Sequence, residues 1–195
     1  MSQFRLLWLA AVLVAPVLAA GPTGAVIPPA VVPFQALFQA AAGPRWIDRA
    51  AQAQAESGFN PRARSMVKGK DGKLHPCAFG LTQFTPGTWK MWAPAGADPY
   101  DPAQAIKAQC RYMPWLEARV QERLDPALGS YNAGLGSVLK AQALAERLGL
   151  PGENAWLQAL VHVTGAANQA QTAGYIKHNA INRATIRRKL GVPSA

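Results

Sequence analysis

The chain is short of acidic side chains. Its 195 residues contain 10 Asp and Glu against 20 Lys and Arg, which gives a formal net charge of +10 at pH 7. Such a balance indicates an acidic partner. The sequence shows neither a helix-turn-helix nor a zinc-finger pattern, which argues against nucleic acid as that partner. The densest basic run, residues 183–189, is equally typical of a solvated helix face.

Cysteine is scarce as well, with only Cys77 and Cys110. In an exported chain two cysteines most simply form one disulfide, and two buried free thiols are the alternative. Three scattered histidines, His75, His162 and His178, give no ligand spacing with these cysteines. We therefore predict a Cys77–Cys110 disulfide, with no metal site and no cofactor.

One long apolar run, residues 6–20, follows Arg5 and ends in the small residues Ala19 and Ala20. It is shorter than the roughly 20 residues that cross a bilayer comfortably. The pattern predicts a signal peptide over residues 1–20, cleaved after Ala19 or Ala20, with an uncleaved membrane anchor as the alternative. Either way the folded part is expected in the periplasm or the cell envelope, where the polyanions are lipid head groups, teichoic acids and the carboxylates of cell-wall peptides.

Strand signals are few, and no internal repeat is visible. Residues 21–33 are rich in Gly and Pro and predict a linker, followed by one domain over residues 34–195. Only residues 66–84 suggest a hairpin or loop excursion. The remainder has helical periodicity, so the predicted fold class is mainly α, a single globular helical domain with a short β or loop excursion.

Helix starts are clearly marked. Thr85, Asp101 and Asp125 each precede a proline, and this pairing places a capping side chain before a residue suited to the first helical position. Gly43-Pro44 is a weaker version of the same signal. Further helices are expected over residues 44–56, 136–148, 153–163 and 166–190, the last bent or interrupted near Gly174.

Glu56 is the candidate for proton chemistry. It falls in the last turn of the helix expected over residues 44–56, which Gly58 would end, and there the helix dipole disfavours an ionised carboxylate. Partial burial would raise its pKa further, as a general acid requires. The alternative is a plain exposed glutamate at a helix end. In the same helix, Asp48, Arg49 and Gln52 are expected to face solvent.

Two later segments offer groups that bind sugars. Gly80 permits a ligand to approach the backbone, and Gln83 offers a donor and an acceptor. Tyr131 and Asn132 add a phenol and an amide before flexible glycines. Neither segment is decisive alone, because the neighbouring aromatic rings are equally typical of a core.

Taken together and in order, these segments resemble the family 1 (Slt-type) lytic transglycosylases and, more distantly, goose-type lysozyme. The resemblance covers about residues 46–175. The matching pieces are Glu56-Ser57 with Asn60-Pro61 and Ser65, Gly80-Leu81-Thr82-Gln83 with Pro86 and Thr88, Ser130-Tyr131-Asn132-Ala133-Gly134, and Thr172 with Tyr175.

The resemblance implies a lysozyme-like α+β fold and cleavage of the β-1,4 bond between N-acetylmuramic acid and N-acetylglucosamine in peptidoglycan. Glu56 would act as acid and then as base, leaving a 1,6-anhydro end without consuming water. Partners would be glycan strands, with a cell-envelope machine or a phage lysis system as context. The site residues implied beside Glu56 are Ser57, Ser65, Gly80, Leu81, Gln83, Tyr131, Asn132 and Tyr175. A hydrolytic muramidase and an inactive peptidoglycan-binding accessory module are the alternatives.

Two features depart from the family pattern. Thr82 stands where the family usually has methionine, so an apolar contact to the glycan would be weakened or replaced by a hydrogen bond. The stretch between Ser65 and Gly80 is longer than in compact members and carries three lysines. It is either a basic lip for substrate, held down by the predicted disulfide, or a surface insertion.

Overall fold

The computed structural model describes residues 30–193, and the described part is mainly helical, as predicted. The expected signal peptide, residues 1–20, and most of the expected linker lie outside this range. The linker's last residues do not stand apart from the domain, because Val32 is only 5% exposed and packs against the core. The elements are α1 Gln35–Ala42, a 3-10 turn Gly43–Arg45, α2 Trp46–Ser57, β1 Arg64–Lys68, β2 Leu74–Phe79, α3 Pro86–Trp92, α4 Pro102–Glu117, α5 Leu124–Ala133, α6 Leu135–Arg147, α7 Ala155–Thr164 and α8 Ala166–Lys189.

The predicted excursion is an antiparallel hairpin of β1 and β2. Ser65 pairs with Ala78 and Met66 with Pro76, so Cys77 is the extra residue of a β-bulge. Every side chain of β1 is exposed. The hairpin therefore projects from the helical body instead of closing its core.

Two of the three marked helix starts are as predicted. The Thr85 side chain accepts a hydrogen bond from the Thr88 amide at 3.2 Å before α3, and Asp101 accepts one from the Gln104 amide at 2.9 Å before α4. The third is shifted. α5 begins at Leu124, so Asp125 lies in the first turn and not at the cap. There its negative charge interacts favourably with the positive end of the helix dipole.

α2 is the central helix, with α8 and α1 packed against it. Ala50, Ala51 and Ala53 are fully buried, and their small side chains allow close approach of the neighbouring helices. Across this contact the Asn182 amide of α8 donates to the Ala51 carbonyl at 3.2 Å. α8 continues through Gly174 without the predicted interruption. None of the helices in the described range is both long and apolar enough to cross a membrane.

The expectation that Arg49 and Gln52 face solvent is wrong. Arg49 is 2% exposed and Gln52 is fully buried. The Arg49 guanidinium donates to Glu117 Oε1 at 2.8 Å, and Gln109 donates to Gln52 Oε1 at 3.0 Å. Periodicity gave no sign of this, because each polar side chain is buried against a partner distant in sequence.

The predicted disulfide is absent from the structure, where Cys77 and Cys110 are both free. Their elements explain this. Cys77 is carried by β2 of the hairpin, whereas Cys110 of α4 packs against a core cluster with residues from α1, α2, α4 and α8. Cys110 also lines an apolar cavity of about 260 Å³ beside α1. The hairpin is therefore not held down by a covalent link to α4.

Candidate active site

Glu56 lies in the last turn of α2, as predicted. The helix ends at Gly58, whose φ of 62° is left-handed and whose amide donates to the Gln54 carbonyl. The Glu56 side chain is only partly exposed, and burial raises its pKa to about 8. A carboxyl with this pKa is protonated at neutral pH, which is the state that a general acid needs.

Tyr175 of α8 is the partner of Glu56. Its hydroxyl donates to Glu56 Oε1 at 2.5 Å, a bond that favours the charged carboxylate and lowers the pKa of Glu56 against the effect of burial. Burial and the charge of Glu56 raise the pKa of Tyr175 well above its usual range, so the phenol stays protonated. The pair places one carboxyl and one fixed donor at the same point.

The turn after β2 is fixed to α2 by a hydrogen bond from a side chain of α2 to the backbone of the turn. The Ser57 hydroxyl donates to the Leu81 carbonyl at 2.8 Å, and the Leu81 side chain is fully buried in the core. Gly80 has φ 72°, and a Cβ at this position would lie 2.0 Å from the Pro99 carbonyl oxygen. Each of these residues has a structural role within the chain: Gly80 makes room for the Pro99 carbonyl, and Ser57 and Leu81 join the turn to the helix of Glu56. Their substrate roles stay predictions.

Gln83 is held in a left-handed conformation, with φ 50°. Three hydrogen bonds fix its amide. Ser65 Oγ donates to Gln83 Oε1 at 2.7 Å, while Gln83 Nε2 donates to the carbonyls of Gly80 at 2.8 Å and Ala63 at 3.3 Å. The structure thus brings Ser65 and Gln83 together and orients the amide through β1.

Tyr131 closes the site from α5. Its hydroxyl donates to the Thr82 carbonyl at 2.6 Å, and its ring packs at 5.6 Å from Phe84 and 5.5 Å from Tyr112. Burial and the charge of Glu56 raise the pKa of Tyr131 well above its usual range. The Thr82 side chain is 1% exposed, so it does not replace a methionine as a surface for the glycan.

Asn132 meets α8 through Thr172, which the sequence did not single out as a site residue. The Thr172 hydroxyl donates to Asn132 Oδ1 at 2.9 Å. The signal was available, since Thr172 lies three residues before Tyr175 and so on the same helix face. Around this contact is a cavity of about 240 Å³ with no charged side chain, lined by Asn132, Ala133, Thr164, Asn168, Gln171 and Thr172.

The site contains one carboxyl, two phenols and several amides and hydroxyls. Within residues 30–193, no three His, Cys, Asp or Glu side chains are grouped as metal ligands would be. The arrangement can donate a proton from Glu56 and take it back. It can also offer neutral hydrogen-bonding groups to a polar ligand.

Comparison with known proteins identifies the family. A family model described as the transglycosylase SLT domain matches residues 49–149, which include Glu56, the turn at Gln83 and Tyr131. The chain belongs to this family. Two curated relatives are membrane-bound lytic murein transglycosylases F, one from Haemophilus influenzae at 34% identity over 131 residues and one from Pasteurella multocida at 36% over 118 residues. These matches cover 64% and 57% of this chain but only 25% and 22% of the relatives.

Solved structures agree on the lysozyme-like fold that was predicted. The 70 kDa soluble lytic transglycosylase of Escherichia coli matches 82% of this SLT-domain chain with a TM-score of 0.60 and 25% identity. The lytic transglycosylase Slt of Pseudomonas aeruginosa matches 83% with a TM-score of 0.60 and 21% identity, a likeness of fold. In each case this chain spans 25% of the larger protein.

Proposed function

We propose that this chain is a peptidoglycan lytic transglycosylase that cleaves the bond between N-acetylmuramic acid and N-acetylglucosamine and leaves a 1,6-anhydro end. The observation that carries the proposal is Glu56, a carboxyl with a pKa of about 8 bonded to Tyr175. Membership of the SLT-domain family and the naming of its relatives as lytic murein transglycosylases support the same reaction.

A single carboxyl suits a reaction without water. Glycosidases that use two carboxylates hold them roughly 5–10 Å apart across the bond. Only burial and Tyr175 perturb the pKa of Glu56. Two other carboxylates are candidates for a second catalyst, Asp48 in the same helix and Asp71 in the hairpin. Asp48 forms an ion pair with Arg45, and Asp71 contacts His75. We infer that no second carboxylate assists Glu56.

In the first step of the proposed reaction, Glu56 donates its proton to the glycosidic oxygen as the bond from that oxygen to C1 breaks. The 2-acetamido oxygen of the muramic acid residue bonds to C1 and holds the positive charge. The C6 hydroxyl then displaces that oxygen from C1, and the Glu56 carboxylate takes the hydroxyl proton. A pKa of about 8 suits both steps, because the acid is protonated at neutral pH and, once ionised, is a stronger base than an ordinary carboxylate.

The neutral groups around Glu56 are proposed to hold the sugars. Asn132 presents an amide that accepts a hydrogen bond from Thr172, whereas the Gln83 amide is held within the chain and would support the turn. The uncharged cavity beside Asn132 suits acetamido and hydroxyl groups better than carboxylates. Tyr175 is proposed to keep the Glu56 carboxyl aimed at the reacting oxygen.

We further propose that the protein is exported to the cell envelope through residues 1–20 and acts there on glycan strands. Wall remodelling, a secretion or conjugation machine and phage lysis are all compatible contexts. The +10 net charge suits a substrate that carries peptide carboxylates.

The test is mass spectrometry of the fragments released from isolated cell-wall sacculi by the protein and by Glu56→Gln. We expect products one water lighter than reducing fragments, and none from the variant. Reducing ends would make the protein a hydrolytic muramidase. Sedimentation on sacculi without release would favour a binding module. Glu146→Gln, an exposed change on α6, is the matched control and should leave release unchanged.

A further inference from the structure

The end of the β1–β2 hairpin exposes apolar and basic side chains together. We call residues 66–75 the hairpin tip. Met66 is 47%, Val67 52% and Leu74 65% exposed, because the sheet has only two strands and no further layer covers their side chains. Single exposed apolar residues are ordinary on protein surfaces, but here three lie at the end of one projecting hairpin, Met66 and Leu74 on one face and Val67 on the other, which indicates a contact surface. We propose that the hairpin tip docks on an anionic lipid bilayer.

Charge at the tip is strongly one-signed. Lys68, Lys70 and Lys73 are there, and the one acidic residue of the tip is Asp71. His75 Nε2 lies 3.0 Å from both oxygens of Asp71, so this carboxylate is occupied by a neighbour within the tip. The three lysines therefore remain available to bind an anion outside the chain. Each lysine near an anionic membrane surface strengthens binding by about fivefold.

Geometry places these groups for an end-on contact. Lys68 pairs with Leu74 across the ladder and Val67 with His75, so apolar and basic side chains occur on both faces of the tip. Adjacent apolar and basic side chains match the boundary between head groups and hydrocarbon. Peptide carboxylates of the cell wall would complement the lysines alone and would leave the apolar side chains in water. The mixed character is why the lipid surface is the favoured partner.

The base of the hairpin is fixed to the body while the tip is free. Phe79 packs on Tyr100 at 6.2 Å, the Arg64 guanidinium lies 5.2 Å from the Tyr100 ring centre, and Ser65 bonds to Gln83. A docked tip would therefore keep the helical body that carries Glu56 away from the lipid by the length of the hairpin, roughly 15 Å given the rise of a strand. Such an enzyme would work on the glycan closest to the membrane.

The experiment uses the full chain with vesicles of phosphatidylcholine, with or without phosphatidylglycerol. Because residues 6–20 are themselves apolar, binding is followed at the tip by hydrogen exchange of residues 66–75 as well as by sedimentation. We expect slower exchange at the tip only with phosphatidylglycerol vesicles. Unchanged exchange there would overturn the proposal even if the chain sediments.

Variants separate the two contributions. Phosphatidylglycerol is expected to increase the affinity of the chain for vesicles. The triple variant Lys68→Gln/Lys70→Gln/Lys73→Gln should reduce that increase on the order of a hundredfold. Val67→Thr/Leu74→Thr keeps strand propensity and should weaken binding roughly tenfold. The control replaces the exposed lysines Lys107, Lys140 and Lys177 with Gln and removes the same charge elsewhere.

An equal loss of vesicle binding in the control variant would contradict a specific role for the hairpin tip. If the tip variants lose binding to sacculi but keep binding to vesicles, the partner is the anionic wall peptide and the lipid proposal is wrong. Release of wall fragments is not used as a readout, so failure of the proposed reaction would not affect this test.

Discussion

The Tyr175 hydroxyl meets Glu56 Oε1 at 2.5 Å across 119 residues of sequence. The contact depends on α8 lying along α2, where Asn182 also bonds to the Ala51 carbonyl. The buried alanines of α2 allow this approach. The proton affinity of Glu56 is therefore set by the packing of two helices as well as by its own burial.

Tyr175→Phe should change both the rate and the pH profile of glycan cleavage. The phenol favours the ionised carboxylate, so its loss should raise the pKa of Glu56 further above about 8 and shift the alkaline limb of kcat upward. Loss of a hydrogen bond to a charged group should also lower kcat about tenfold to a hundredfold, with little effect on KM. An unshifted alkaline limb would contradict this role.

The stability of the fold should fall as pH rises because of Glu56. Its folded pKa of about 8 exceeds the ordinary value of 4.5. Between these values the folded chain keeps a proton that the unfolded chain has lost, so the free energy of unfolding is highest below about 4.5 and decreases up to about 8.

Glu56→Gln lacks this titration, so its stability gain over the wild type should grow from near zero at about pH 5 to the order of 1–3 kcal/mol at about pH 8. Urea unfolding at both pH values measures the difference. Glu146→Gln, an exposed change on α6, is the matched control. Equal stability of Glu56→Gln and the wild type at the higher pH would argue against a buried, protonated Glu56.

Gly80→Ala should destabilise the protein strongly. The new Cβ would lie 2.0 Å from the Pro99 carbonyl oxygen, at a position with φ 72°. We expect a loss of about 2–4 kcal/mol in urea unfolding, since backbone must move. Gly87→Ala is the matched control in α3, because nothing lies within 4 Å of its Cβ and its φ is ordinary. This change should be neutral or stabilising, and equal losses would contradict the close approach.

The sequence predicted the positions that carry local signals. Thr85 and Asp101 capped helices where expected, and Gly58 ended the helix of Glu56. It did not reveal that Arg49 is buried, because its partner Glu117 lies 68 residues away. Nor did it reveal that Gly80 lies against the Pro99 carbonyl of the same chain. Roles that depend on long-range contacts need the three-dimensional arrangement.

The state of the two cysteines is directly measurable, and the structure predicts two free thiols. Burial raises the pKa of Cys110 to about 11 from an ordinary value of 9.0. The thiolate is the reactive form, so Cys110 in the folded chain should react with a disulfide reagent about a hundredfold more slowly than in the unfolded chain. Cys77 is partly exposed on the hairpin and should react first.

Counting the thiols of protein that was never reduced, in denaturant, decides between the structure and the disulfide that the sequence suggested. Two thiols per chain are expected, and Cys77→Ser should leave one slow thiol in the folded state. No thiols before reduction would mean that Cys77 and Cys110 are linked. β2 and α4 would then have to sit so that the two sulfur atoms meet, an arrangement that differs from the structure, where both cysteines are free.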